Sequence, residues 1–192
     1  MKNTLIMGAI FYVVVMSSSC TAYLEHIRQI GHPPKPEQPM VQIKDDQFER
    51  SATIVGIDVV TGLNDENYHR YFLRSWVDKQ TFAVTHQLYV NLHYRGDWKF
   101  FRSVSSQDAK PLKFIRVRRD VITCRESGYY GCWHVEDFGA IIDHRTLQEH
   151  RDVGYSVKFH SRFAGDELII AVSSEQIQRQ LDAVESYVKG YR

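Results

Sequence analysis

Histidines and acids at short spacing are where chemistry would first be sought in this chain. His134 and Glu136 stand two apart in an alternating stretch, so on a strand their side chains share a face. Joined by His86 and His93, they have the ligand types of a zinc site or a hydrolytic centre. The spacing of established machinery is missing, however. The chain carries no H-E-x-x-H, G-x-S-x-G, P-loop or G-x-G-x-x-G. His86 lies on the apolar side of the run Phe82 to Tyr94, where a lone histidine reads as a core residue with hydrogen-bonded ring nitrogens. These patterns imply no cofactor and no metal.

Binding chemistry is better represented than catalysis. Lys110, Lys113, Arg116, Arg118 and Arg119 form a local basic stretch. Strict alternation puts Arg116 and Arg118 on one strand face, suited to lipid headgroups, peptidoglycan carboxylates or an acidic partner. The competing reading is a solvated strand face, or an edge kept from aggregating by charge, with Asp120, Glu126, Glu136 and Asp137 at hand to neutralise it. Tyr129 and Tyr130 sit side by side between Cys124 and Cys132 and have the character of a small recognition surface. Folding back onto the body is the alternative. Arg95-Gly96-Asp97 reads as a turn.

The elements that must position these residues are mostly strands. From Phe82 to Tyr94, apolar residues alternate with polar ones, the mark of a long strand with one buried side. With the turn at 95–97, Trp98 to Val104 reads as its hairpin partner. Ala52 to Val60, Tyr71 to Val77, Leu112 to Cys124 and Cys132 to Ile142 follow the same logic. Tyr155 to Ser161 and Glu167 to Val172 form a last hairpin. Two helices are expected: a short one over 145–150 after Asp143, and a C-terminal one. Ser173 and Gln176 open the second as a capping box, and Ile177, Leu181, Val184 and Tyr187 recur at helical spacing. The fold class is therefore mainly β, an antiparallel sandwich or barrel-like domain with a C-terminal helix.

Length suggests one domain, and 24 Lys and Arg against 23 Asp and Glu leave no global field toward nucleic acid. Organisation comes from the N-terminus. Lys2, the apolar run Leu5 to Met16, and Ser17, Ser18 and Ser19 before Cys20 make a secretory signal too short for a comfortable membrane span. Ser17-Ser18-Ser19-Cys20 resembles the lipobox of bacterial lipoproteins, with Ser17 where most carry Leu. That resemblance implies a signal peptide over 1–19, diacylglycerol on the Cys20 thiol, cleavage before it and acylation of the new amino group. Thr21 after the Cys implies sorting to the outer membrane, periplasmic side, with inner-membrane anchoring the alternative. Residues 20–48 hold Pro33, Pro34, Pro36 and Pro39 and read as a semi-rigid tether, leaving 49–192 as the globular body. Lipidation of Cys20 accounts for the odd cysteine, so Cys124 and Cys132 read as a disulfide closing a loop. Seven intervening residues do not match a C-x-x-C redox pair.

The body, with its YRGDWKFF run and Cys-loop-Cys, is similar to small envelope lipoproteins of Gram-negative bacteria. The resemblance implies no site residues. The resulting expectation is a non-catalytic binding or envelope-structural module, held to the membrane by its lipid, with a protein or peptidoglycan partner. A histidine-based metal site or enzyme, and a small-ligand or lipid binder with an internal cavity, are the alternatives.

Overall fold

The computed structural model describes residues 40–62, 67–124, 131–163 and 165–191. In chain order these form β1 (Gln42–Lys44), β2 (Ser51–Val55), β3 (Val59–Thr61), β4 (Asn67–Asp78), β5 (Val84–Gly96), β6 (Ser103–Ser106), β7 (Pro111–Cys124) and β8 (Cys132–Ile142). Helix α1 (His144–Glu149), strands β9 (Tyr155–His160) and β10 (Glu167–Val172), and helix α2 (Ser174–Tyr191) complete the set. Every pairing is antiparallel. The order is β1-β2-β4-β5-β8-β7-β6-β9-β10, with β3 beside β4. The end strands β1 and β10 do not pair with each other, so the sheet is open rather than a closed barrel.

Period-two patterning explains the layers. On β5, Leu88, Val90, Leu92 and Tyr94 point inward, and on β4 Tyr71, Leu73, Ser75 and Val77 do the same. The β6-β9-β10 half supplies Val104, Tyr155, Val157, Phe159, Ile170 and Val172 to the same core. The Tyr71 hydroxyl donates to the Ala171 carbonyl at 3.1 Å, tying β4 to β10 across that core. Phe138 fills the middle, 4.8 Å from the Phe101 ring and 4.9 Å from the Phe159 ring. Full burial of such a side chain stabilises by about 1.5–3 kcal/mol.

Helix α2 begins as the sequence predicts. The Ser173 hydroxyl accepts from the Gln176 N–H, and the Gln176 side chain accepts from the Ser173 N–H. This reciprocal pair satisfies two of the donors that a helix start leaves open. Ile177, Leu181, Val184 and Tyr187 are all buried, and they seat the helix on β4 and β2. Cys124 and Cys132 lie opposite each other at the end of the β7–β8 ladder and are bonded.

Three expectations change. Residues 98–104 do not pair with β5, because β4 and β8 already occupy both edges of β5. Gly96 takes φ 110°, the chain leaves the sheet there, and β6 pairs with β7 and β9 instead. The strand expected over 52–60 is broken into β2 and β3. The Gly56 N–H between them donates to the Leu73 carbonyl, and the Gln180 side chain sits where a Cβ on residue 56 would stand. The β-rich body also includes residues before 49. β1 pairs with β2, and Asp45 accepts from Tyr187 of α2 at 2.9 Å. The segment expected to be a signal peptide, Cys20, the prolines of the expected tether, Tyr129 and Tyr130 lie outside the described residues.

Candidate functional site

The arginines of β7 are placed by a break in strand regularity. Arg116 stands opposite Phe138 and Arg118 opposite Asp137, with a register shift between them. Phe138 faces the core, whereas Asp137 faces the other side of the sheet. The bulge at Val117 therefore sends the two arginines to opposite faces, correcting the shared face expected from alternation. Arg118 bonds Asp137 on the outer face, Nε to Oδ2 at 3.1 Å. Arg116 and Arg119 turn to the inner face, together with Phe114.

Glu136 organises that inner face. It is 1% exposed, and its carboxylate has four donors. The Tyr94 hydroxyl reaches Oε1 at 2.6 Å, the Phe100 N–H reaches Oε1 at 2.9 Å, and the Phe101 N–H reaches Oε2 at 3.2 Å. Arg119 Nε closes an ion pair at 2.7 Å and passes a second nitrogen to the Phe101 carbonyl at 2.6 Å. A buried carboxylate requires such a set, since an uncompensated charge there costs several kcal/mol. Burial, then the Glu136 carboxylate, hold the Tyr94 phenol well above its ordinary value.

These bonds pull residues 99–102 out of the sheet. The β6–β7 ladder has rungs only at Val104–Leu112 and Ser105–Pro111. Continued, it would pair Arg102 with Phe114 and Phe100 with Arg116. Instead, the Arg102 N–H donates to the His160 carbonyl at 3.0 Å, and the Phe100 carbonyl accepts from Arg162 at 3.1 Å. Phe100 takes φ 54°, a conformation that costs a bulky residue on the order of 1–3 kcal/mol. The Glu136 bonds offset it.

The split leaves a groove of about 530 Å³. Phe100, Phe101 and Arg102 line one wall, Phe114, Arg116 and Arg119 the other, and Arg162 the rim. Arg102, Arg116 and Arg162 are exposed, and their guanidinium groups have no partner among the described residues. Among the described residues, no acidic side chain lines the groove. Uncompensated like charges around an apolar floor repel one another, and an anion seated among them relieves that repulsion.

The histidines are distributed otherwise. His86 is fully buried. Its Nδ1 lies 2.6 Å from the Ser75 hydroxyl and its Nε2 lies 2.8 Å from His144 Nδ1. The Gln180 amide donates to the Ile54 carbonyl and to Ser75 Oγ. In the tautomer consistent with these bonds, Ser75 gives its proton to His86 Nδ1, and His86 Nε2–H donates to His144 Nδ1. Burial, then the His144 ring, pull the His86 imidazole down to about 4. This is the core histidine expected from its strand position.

His93 is on the outer face, 2.8 Å from Asn91 and stacked on Tyr68. His134 does share the inner face with Glu136, but it packs against Trp98 at 4.2 Å, and its buried Nδ1 has no hydrogen-bond partner. His86, His93, His134 and Glu136 therefore surround no common point. Among the described residues, no group of three or more metal-ligating side chains converges.

Sequence reasoning found Arg116 and missed Arg102, Arg162 and the three phenylalanines. The only local signal is arginine beside phenylalanine, in Phe100-Phe101-Arg102 and in Arg162-Phe163. Nothing in the sequence links residue 102 to residue 162. No family model, curated protein or solved structure matches the chain. Among the described residues no helix is long and apolar enough to cross a membrane.

Proposed function

We propose that this protein is a non-catalytic binding module, displayed from a lipid anchor at Cys20 on the periplasmic face of the outer membrane. Its ligand site is the arginine groove beside β7, and its ligand is anionic. One observation carries the reading: Arg102, Arg116 and Arg162 surround a phenylalanine-lined groove without any described counter-charge. Arginine suits the task, because its planar fork binds carboxylate or phosphate with two parallel bonds.

Two measurements test this. Palmitate labelling of cells should mark the chain and fail to mark Cys20→Ala; equal labelling would remove the anchor. Titration of the full chain in neutral detergent micelles with inorganic pyrophosphate should shift the side-chain N–H resonances of Arg102, Arg116 and Arg162. R116A/R162A should weaken that binding at least tenfold, and Arg118→Ala should leave it unchanged. Equal loss in both variants would mean a diffuse basic surface rather than a site.

A further inference from the structure

We infer that the groove is a strand-addition site, and that its occupant is an extended acidic peptide segment of another protein. The inference rests on the anion-binding reading and narrows it to one ligand class. Three features point beyond a simple anion.

The first is the open edge. β7 pairs with β8 on one side, but on the other side β6 reaches only Leu112. From Lys113 to Cys124 that edge has no strand partner among the described residues. Backbone donors and acceptors along such an edge are a template for another strand.

The second is the position of the arginines. The groove lies where the β6–β7 ladder parts, so a peptide entering the split meets the β7 edge and the guanidinium groups together. Arg116 comes from β7 itself, and Arg102 and Arg162 come from the wall that has peeled away. Side chains of an added strand alternate between faces, so carboxylates two residues apart would project to the same side, toward the inner-face arginines.

The third is apolar surface on the same strand. Val117, Val121 and Ile122 are large hydrophobics left exposed. A free phosphate would leave them uncovered, and a peptide strand would cover them.

Two other occupants fit less well. A second copy pairing β7 to β7 would set Lys113, Arg116, Arg118 and Arg119 against their own kind, and like charges directly opposite are unfavourable. An anionic lipid surface satisfies arginines but offers no backbone partners to the edge. Charge and bulges alone do protect exposed edges from aggregation. Protective charges need only point to solvent, however, whereas Arg116 turns into a groove that two other chain segments complete.

The test uses the full chain in neutral detergent micelles, phosphatidylglycerol vesicles as the competing surface, and four soluble probes. The probes are an octapeptide alternating Val and Glu, the same peptide N-methylated at alternate amides, its Val–Lys counterpart, and inorganic pyrophosphate. The Val–Glu peptide should bind at least about tenfold more tightly than the N-methylated one, the effect of two or three backbone hydrogen bonds. It should also slow hydrogen exchange at backbone amides within 113–119, and R116A/R162A should bind it at least tenfold more weakly. Equal affinity for the N-methylated peptide overturns strand addition while leaving the anion site standing. So does tighter binding to phosphatidylglycerol vesicles than to the peptide, with no protection of β7. Equal affinity for the Val–Lys peptide, or no response to either pyrophosphate or the Val–Glu peptide, overturns both readings.

Discussion

The two faces of the β7–β8 ladder carry similar residues and reach opposite electrostatic results. On the outer face, Arg118 meets Asp137, Asp137 accepts from Asn91, and His93 is bonded to Asn91. Arg74 lies over the Trp76 and Tyr89 rings and donates to Gln87 at 2.7 Å. Both of these arginines have a described partner. On the inner face, Glu136 is consumed by Tyr94, Arg119 and two backbone N–H groups, so none of its charge is left for Arg102, Arg116 or Arg162. Both faces carry arginines, so their presence alone does not tell the faces apart. Following each arginine to its partner separates them, and it is the face with cations left over that can bind.

The largest test of this contrast is Glu136→Gln. It keeps the shape but removes the charge that Arg119 and the Phe100–Phe101 backbone converge upon. Breaking a buried ion pair from one side should cost on the order of 3–5 kcal/mol. Chemical unfolding of the full chain should show a loss of that size. A loss below about 1 kcal/mol would mean that Glu136 does not hold the split open.

The disulfide comes next, since it closes the hairpin that carries both faces. Cys124 and Cys132 are eight residues apart. Loop-closure entropy puts the loss from a Cys124→Ser/Cys132→Ser double change at about 2–3 kcal/mol. Anion binding near Arg116 should survive it, because the bulge at Val117 lies well inside the ladder. If binding is lost while the fold persists, the segment between Cys124 and Cys132 belongs to the site.

A third test concerns the neutral polar row at the other end of the inner face. The folded His86 sits at about 4, below its ordinary value near 6.5, held there by burial and by His144, with Asp143 opposing. As pH falls, the unfolded chain therefore takes up this proton first. The stability that neutral His86 supplies is complete above about pH 6.5 and drains away toward pH 4. Between pH 7 and pH 5 the loss should be about 2 kcal/mol from this group alone. Urea midpoints for His86→Leu, compared with the unaltered chain, should show a flatter decline over that range. An equally steep decline would assign the pH dependence to other groups.

The smallest effects on stability divide the two faces most cleanly. Arg118→Ala should cost under about 1 kcal/mol, as exposed ion pairs do, and leave anion binding intact. Arg116→Ala should leave stability unchanged or slightly raised, since it removes repulsion and breaks no described bond, while anion binding falls. If the two variants exchanged behaviours, the faces would have been assigned the wrong way round.

Much of the framework was legible in the residues themselves. Alternation along 82–94 marks β5, and Ser173 with Gln176 marks the start of α2. The Cys124–Cys132 pairing, the last hairpin and the mainly β class follow from local pattern. These are properties of neighbours in the chain, set by the two-residue period of a strand and the reciprocal bonds of a helix cap. The partner of residues 98–104 was misread for the same reason. A turn beside two alternating runs says hairpin, and nothing local reveals that β8 has taken the edge of β5.

Tertiary structure decided the site. Where alternation stops is fixed by a bulge opposite Phe138 and Asp137, and that bulge chose which arginine faces the groove. Glu136 reads in sequence as one acid among several that neutralise a basic stretch. In the fold it is the buried acceptor that draws Phe100 and Phe101 off the ladder, and Arg102 and Arg162 then meet across the gap. Sequence determines which side chains exist and the period on which they repeat. Which charges are left without partners depends on distances between segments far apart in the chain, and only the packed molecule sets those.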